Sequence, residues 1–379
     1  MVPGTFIRAA LFSAALFASS LAAMAAPTIE RVGPVLSHPW GMEFLDHDTV
    51  LVTERDGRLI RIDLGDGSAS QIMGVPPVYA RRQGGLLDVA AIDGHVYLCY
   101  SAVLEGGSAT AIDRAVIEGD RLVRRQTIFT GNAASRSGHH FGCRMQVTGG
   151  MIYASLGDRG DRANGQDGAT NAASIIRINL DGSVPPDNPG PAGLAEGWAA
   201  ENFTIGHRNP QGMAMHPRTG DIWTHEHGPR GGDEINIIRP SRDGGANYGW
   251  PKVSFGAEYA TGRRVSPHDS LPGYVDPVWV WVPSIAPSGM AFYPDAADGN
   301  QTGAMFPAYQ GHLLVGSLKF RRLYLVELDA DGLPASERVI LDGQIGRIRD
   351  VAVAPHGPHA GAILLLSDET QGGLYMMRR

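Results

Sequence analysis

Cysteine is almost absent from this 379-residue chain, which carries only Cys99 and Cys143. Two thiols exclude a disulfide-stapled scaffold and a four-cysteine metal site. Both sit in strand-like segments of different repeats, so they read as two buried free thiols, the commonest fate of a packed cysteine. Long apolar runs are missing after the first 26 residues, so no later segment could span a bilayer as a helix. Basic stripes are missing too: the formal charge is −7, which argues against nucleic-acid binding. Sustained 3.6-residue periodicity between a cap and a C-terminal glycine appears nowhere in the mature chain.

Glycine, by contrast, is abundant at 50 residues, with 25 prolines, spread in turn-like clusters as a protein of many short strands requires. The opening stretch differs from the rest. Arg8 precedes "AALFSAALFASSLAAM", and Ala23-Met24-Ala25 offers a small-residue cleavage signal, so residues 1–26 read as a secretory signal peptide. Residues 27–379 then form the exported, periplasmic or secreted, domain. Its removal takes away one arginine and no acid, moving the charge from −7 to −8.

Six segments recur, each opening on a short apolar stretch, turning at Gly or Asp and continuing as apolar strands. They start at Gly41, Leu86, Gly142, Gly212, Gly289 and Arg347. Strands such as "HVYLCYS", "DIWTHEHG" and "AILLLSDE" are rich in β-branched and aromatic residues. The last repeat is short of partners. Six four-stranded antiparallel units most simply close into an all-β six-bladed propeller, which covers the sheet edges that isolated units would expose. No linker divides residues 27–379, so one domain is expected.

Polar residues recur at equivalent points of the repeats: Gln83 before the second, His139-His140 before the third, Arg208-Asn209 before the fourth, Ser284 before the fifth, Arg347 and Arg349 opening the sixth, and Lys319 after a fifth-repeat strand. A propeller brings such positions to its axis. Cations gathered there repel unless an anion joins them, so the expected ligand is a polyanionic small molecule. "HEHGPRGGDEIN" (His225 to Asn236) lacks the helical spacing of the zinc proteases. Its Gly/Pro-rich turn beside Asp233 and Glu234 reads either as an oxygen-ligand calcium site or as an acidic turn with Arg230 as salt partner.

In order along the chain, "QGGLLDV", "HFG", "GHRNPQG", "EHGPRGGDEIN", "NYGWP", "SIAPSGMAFY", "SLK" and "RIRDV" resemble the soluble quinoprotein dehydrogenases, which use pyrroloquinoline quinone (PQQ), and most closely the aldose sugar dehydrogenase branch. The resemblance implies oxidation of aldoses at C1 to lactones, with electrons passed to an external acceptor. It implies His140 as general base and Arg208 and Asn209 facing the quinone oxygens. Gln83, His227, Ser284, Lys319, Arg347 and Arg349 would hold the cofactor. Ca2+ on the carbonyls of Gly228 and Pro229 would polarise the quinone, and Asp233, Glu234 and Tyr248 would form a second calcium site. Gln166 would add a further contact. His139 stands where the glucose dehydrogenase branch has the aspartate that orients its histidine, and His227 where that branch has glutamine. A monomer or homodimer acting on aldose sugars, without nucleic-acid or stable membrane partners, follows from the same likeness. The rival readings are a calcium-dependent sugar-lactone hydrolase, needing acidic calcium ligands at the axis, and a non-enzymatic glycan-binding propeller.

Overall fold

Most strands of this protein are apolar on both faces because sheets cover them on both sides. β3 (Thr49–Glu54) and β23 (Ile363–Ser367) are almost wholly buried, whereas β9 (Arg121–Thr130) and β21 (Pro334–Asp342) are largely exposed. Continuous apolar runs mark strands sandwiched between sheets, and exposed ones mark the rim. A computed structural model describes residues 27–295 and 305–379, so the expected signal peptide lies outside the described residues.

Six antiparallel four-stranded sheets form the molecule. Blade one is β2 (Pro39–Phe44), β3, β4 (Arg58–Asp63) and β5 (Ala69–Ile72); blade two is β6 (Leu86–Ile92), β7 (His95–Leu104), β8 (Gly107–Glu118) and β9. Blade three is β10 (Met145–Thr148), β11 (Met151–Leu156), β12 (Ser174–Asn179) and β13 (Asn202–Ile205); blade four is β14 (Pro210–Met215), β15 (Ile222–Glu226), β16 (Asp233–Ile238) and β17 (Trp279–Trp281). Blade five is β18 (Pro287–Phe292), β19 (Leu313–Ser317), β20 (Arg322–Leu328) and β21; blade six is β22 (Ile348–Val353), β23, β24 (Gly372–Arg378) and β1 (Thr28–Leu36). The innermost strands contact one another in the cycle β2, β6, β10, β14, β18, β22 and back to β2, which closes a six-bladed propeller.

The missing partner of the last repeat is the N-terminal strand. β1 pairs with β24 from Thr28 opposite Arg378 to Val32 opposite Leu374, so the first and last strands of the domain lock the ring. Val32 and Leu36 are buried by this pairing, each contributing roughly 2 kcal/mol.

Cys99 and Cys143 form a disulfide, which overturns the expectation of free thiols. Cys99 lies on β7, and Cys143 on the loop entering blade three, where a positive φ of 76° accompanies a Cα–Cα distance of 5.7 Å. Strand pattern alone gave no sign of this pairing because it joins two blades across their interface.

Below the strand entrances, one residue from each inner strand or its approach forms a layer around the axis: Gly41, Asp88, Arg144, Gly212, Gly289 and Asp350. Arg144 Nη1 reaches Asp88 at 2.9 Å and Asp350 at 3.1 Å, tying blades two, three and six. The glycines make room. A Cβ on Gly289 would lie 2.2 Å from an Asp350 carboxylate oxygen and 2.5 Å from its Cα. Under this layer a funnel of about 660 Å³ opens to the opposite face, lined by Met42, Met145, Met213, Met290 and Glu43. Above it lies the candidate site.

Candidate functional site

A cavity of about 860 Å³ occupies the upper hub, where the loops entering the inner strands converge. Its lining includes Gln83, Asn209, His227, Pro229, Ser284, Lys319, Arg347 and Arg349, brought from blades that are distant in sequence. His140, Arg208 and Gly228 are not in its lining but adjoin it through hydrogen bonds or chain neighbours that are. The His140 backbone N–H donates to Gln83 Oε1 at 2.7 Å, and Arg208 Nη1 donates to the carbonyls of His227 and Gly228, each at 2.8 Å.

His140 is held by a residue that the sequence reading did not single out. Asp158, just beyond β11, places Oδ1 2.6 Å from His140 Nδ1, while its Oδ2 accepts the Trp250 indole N–H at 2.9 Å. Burial alone would raise this carboxyl, but the hydrogen bond and charge of His140 outweigh burial and hold it below the usual carboxylate range. An ionised Asp158 accepts Nδ1–H, which leaves Nε2 as the lone-pair nitrogen. The His139 substitution noted in the sequence therefore does not deprive His140 of a carboxylate partner. Trp250 also lies beneath Arg208, whose Cζ is 5.3 Å from the ring centroid, so one indole braces both groups.

The cation cluster is real, and it is partly neutralised from within. Arg349 Nη2 lies 2.5 Å from Asp368, with Arg347 at 3.7 Å and His38 Nδ1 at 2.8 Å from the same carboxyl group. Burial opposes ionisation of Asp368, but the Arg349 guanidinium overrides it and holds the group far below the usual range. Lys319 Nζ donates only to the Ser284 carbonyl at 3.0 Å. Arg349 Nη1 reaches Gln211 Oε1 at 3.3 Å, and Gln211 Nε2 reaches Asn209 Oδ1 at 3.3 Å, joining blades six and four across the floor. Trp40, Arg55, Gln211, Tyr259 and Asp368 also line the cavity and went unnoticed in the sequence.

Asp233 is a clamp between two walls. Its Oδ1 accepts Gly228 N–H at 2.9 Å, and its Oδ2 accepts Ser284 Oγ–H at 2.7 Å and the N–H groups of Ile285 and Ala286 at 2.9 Å. The expected trio Asp233, Glu234 and Tyr248 is not assembled. Successive strand residues point to opposite faces: Glu234 lies beside Glu226, and the Tyr248 hydroxyl donates to the Ile237 carbonyl at 2.8 Å. Burial, then the Glu226 charge, raises the Glu234 carboxyl well above its usual range. Arg230 is exposed at the cavity edge and makes no ion pair with Asp233 among the described residues. Gln166 turns its amide to the Trp250 carbonyl at 2.7 Å, away from the cavity.

Carbonyl oxygens are the donors a hard cation takes, and the Gly228 oxygen accepts Arg208 Nη1 at 2.8 Å. A Cβ on Gly228 would lie 2.3 Å from the carbonyl oxygens of both Gly231 and Gly232, so only glycine fits at this turn. Among the described residues, no group of three His, Cys, Asp or Glu is placed to hold a metal. Burial lowers His227 to about 4, so its neutral ring donates Nε2–H to the Pro287 carbonyl at 2.6 Å.

Residues 36–376 match the family model for glucose/sorbosone dehydrogenases. Aldose sugar dehydrogenase YliI of Escherichia coli is 36% identical over 97% of this chain and 98% of its own length. The crystal structure of the apo-form of the E. coli soluble aldose sugar dehydrogenase covers 93% of this chain and 99% of its own, at 34% identity and a TM-score of 0.83. A PQQ-bound aldose sugar dehydrogenase from Streptomyces coelicolor superposes with a TM-score of 0.71 at 26% identity, covering 93% of this chain and 98% of its own. No helix among the described residues is long and apolar enough to cross a membrane.

Proposed function

This chain belongs to the glucose/sorbosone dehydrogenase family, and on that footing we propose that it is a PQQ-dependent aldose sugar dehydrogenase, oxidising aldoses at C1 to lactones in the periplasm or outside the cell. One observation carries the reading. Cations from blades five and six, Lys319, Arg347 and Arg349, line one cavity, and His140 backed by Asp158 stands at its border from blade three. Cavity volume, amides and unequal charge all suit a flat tricarboxylate.

Bound PQQ supplies the two-electron acceptor for the hydride that leaves the sugar C1. Lys319, Arg347 and Arg349 bind its carboxylates by charge-assisted hydrogen bonds, while Gln83, Ser284 and His227 orient it. Asn209 and Arg208 stabilise negative charge at the quinone oxygens. The carbonyls of Gly228 and Pro229 would hold Ca2+, which would supply Lewis-acid polarisation of the quinone; the Gly228 oxygen accepts Arg208 Nη1 at 2.8 Å. His140 Nε2 takes the proton of the C1 hydroxyl, and the imidazolium so formed is stabilised by Asp158. A second calcium is proposed at Glu234 facing Glu226, where a divalent charge would relieve the carboxylate repulsion. Electrons leave to an external acceptor.

The lactone hydrolase alternative would need acidic ligands around an axial calcium at the cavity, whose lining carboxylate, Asp368, is instead paired with Arg349. The test is reconstitution. Apo-protein given PQQ and Ca2+ should reduce a redox dye with glucose and lose that activity on chelation. Absence of dye reduction with every aldose tried removes the dehydrogenase reading, and lactone turnover without PQQ establishes the hydrolase.

A further inference from the structure

The cofactor cations come from blades five and six. A second group of cations stands near His140: Arg82 on the loop entering blade two, Arg159 on the β11–β12 connection of blade three, and Arg55 on the β3–β4 turn of blade one. Arg55 lines the cavity and its Nη1 donates to the Arg82 carbonyl at 3.0 Å. The Arg82 side chain lies across Gly138, where a Cβ would meet its Cδ at 2.8 Å and its Cβ at 3.0 Å. That places it over the backbone leading into His139 and His140, whose rings are 6.1 Å apart. Under this loop runs Arg159, buried to 4% exposure, donating to the carbonyls of His139 and Ser137 and to Ser108. Its Nε has no hydrogen-bond partner.

The carboxylates on this side are already engaged. Asp158 serves His140 and Trp250, Glu54 lies 2.8 Å from Arg58 and Asp56 3.6 Å from the same guanidinium. Among the described residues no ion pair involves Arg55, Arg82 or Arg159. Two guanidiniums without an ion-pair partner among the described residues, Arg55 at the cavity and the exposed Arg82, therefore stand on this side, while the buried Arg159 feels the charge of Asp158. In a six-membered ring, blade two faces blade five and blade three faces blade six. A molecule whose carboxylates reach Lys319, Arg347 and Arg349 thus leaves this flank unneutralised.

We propose that this flank selects aldoses that carry a negative charge away from C1, a carboxylate as in a hexuronic acid or a phosphate as in a sugar phosphate. The inference rests on the dehydrogenase reading, and names the substrate class of that same site. Neutral sugars enter the same pocket but gain nothing from Arg82 and Arg55. Attraction to exposed guanidiniums at a cleft is long-ranged and screened by salt.

The reconstituted enzyme is assayed by dye reduction with glucose, glucuronate and glucose 6-phosphate, at low ionic strength and again at about 0.5 M salt. At low salt, kcat/KM for at least one anionic sugar should exceed that for glucose about tenfold, and the advantage should collapse at high salt; which anion wins identifies the carboxylate or the phosphate as the recognised group. Arg82→Glu should abolish the preference while glucose turnover stays within about twofold, and His139→Asp should reduce it. Saturation-transfer NMR of the apo-protein should show the anionic sugar binding to the native chain more strongly than to Arg82→Glu. Glucose turning over as fast as both anions, or a preference that survives Arg82→Glu, overturns the proposal and leaves the dehydrogenase reading standing. A charge reversal that slows all three sugars equally assigns Arg82 to support of the loop that carries His140 and also overturns it. No turnover with any aldose removes the dehydrogenase reading, and this inference with it.

Discussion

Asp158 Oδ1 lies 2.6 Å from His140 Nδ1, so the imidazole that borders the hub cavity is fixed in ring orientation and tautomer by a carboxylate from the far end of its own blade's second strand. Asp158→Asn removes the charge that stabilises imidazolium and presents an amide that can hold the wrong tautomer. We expect kcat to fall by about two to four orders of magnitude with little change in PQQ affinity, as measured by steady-state dye reduction and cofactor titration. Because Asp158 is held below its unfolded range, its stabilising contribution is present above about pH 4 and is lost as pH falls through its folded value. The wild type should therefore lose thermal stability on acidification more steeply than the Asn variant.

Trp250 donates its indole N–H to Asp158 and stacks under Arg208. Trp250→Phe keeps a ring beneath Arg208 and deletes the donor. Asp158 then loses one of its restraints, and kcat should fall about tenfold while KM for sugar is nearly unchanged. A variant with normal kcat would remove Trp250 as a positioning residue.

Asp368 neutralises Arg349 at the cavity wall, which sets up competition with an incoming anion. Asp368→Asn should lower the Tm of the apo-protein, because Arg347 and Arg349 are left facing each other unpaired. The same change should enlarge the Tm increase on adding PQQ, since the freed guanidiniums bind its carboxylates without a rival. Arg349→Ala should shrink that increase. Thermal shift with and without the cofactor measures both, and an unchanged cofactor effect in either variant would contradict the pairing.

The Cys99–Cys143 bridge closes a loop across 44 residues between blades two and three, three positions from His140. Cys99→Ser with Cys143→Ser should cost about 2–4 kcal/mol of stability by denaturant titration. Free-thiol counting on the unfolded native protein should give none.

Glu43 opens onto the axial funnel, and burial, then the nearby charges of Asp88 and Asp350, raises its carboxyl to about 8. The folded state thus holds a proton that the unfolded chain releases near pH 4.5. Its favourable contribution is complete below that value and declines as pH climbs through 8. Glu43→Gln should raise Tm at pH 8.5 and leave it nearly unchanged at pH 4.5, and an equal change at both would assign the effect to packing instead.

Local chemistry in the sequence determined the six repeats, their apolar strands, the closed ring and the loops that carry Gln83, His140, Arg208, Asn209, Ser284, Lys319, Arg347 and Arg349. Such features repeat at a period that a single chain displays by itself. Tertiary structure alone decided the rest: β1 completing the sixth blade, the Cys99–Cys143 bridge, Asp158 beneath His140, Asp368 against Arg349, and the separation of Asp233, Glu234 and Tyr248. Each of these depends on which face a side chain takes once neighbouring blades are packed. Trp250 shows the reason most plainly, since 92 positions separate it from Asp158 and only the packing of blade four against blade three brings its indole to that carboxylate.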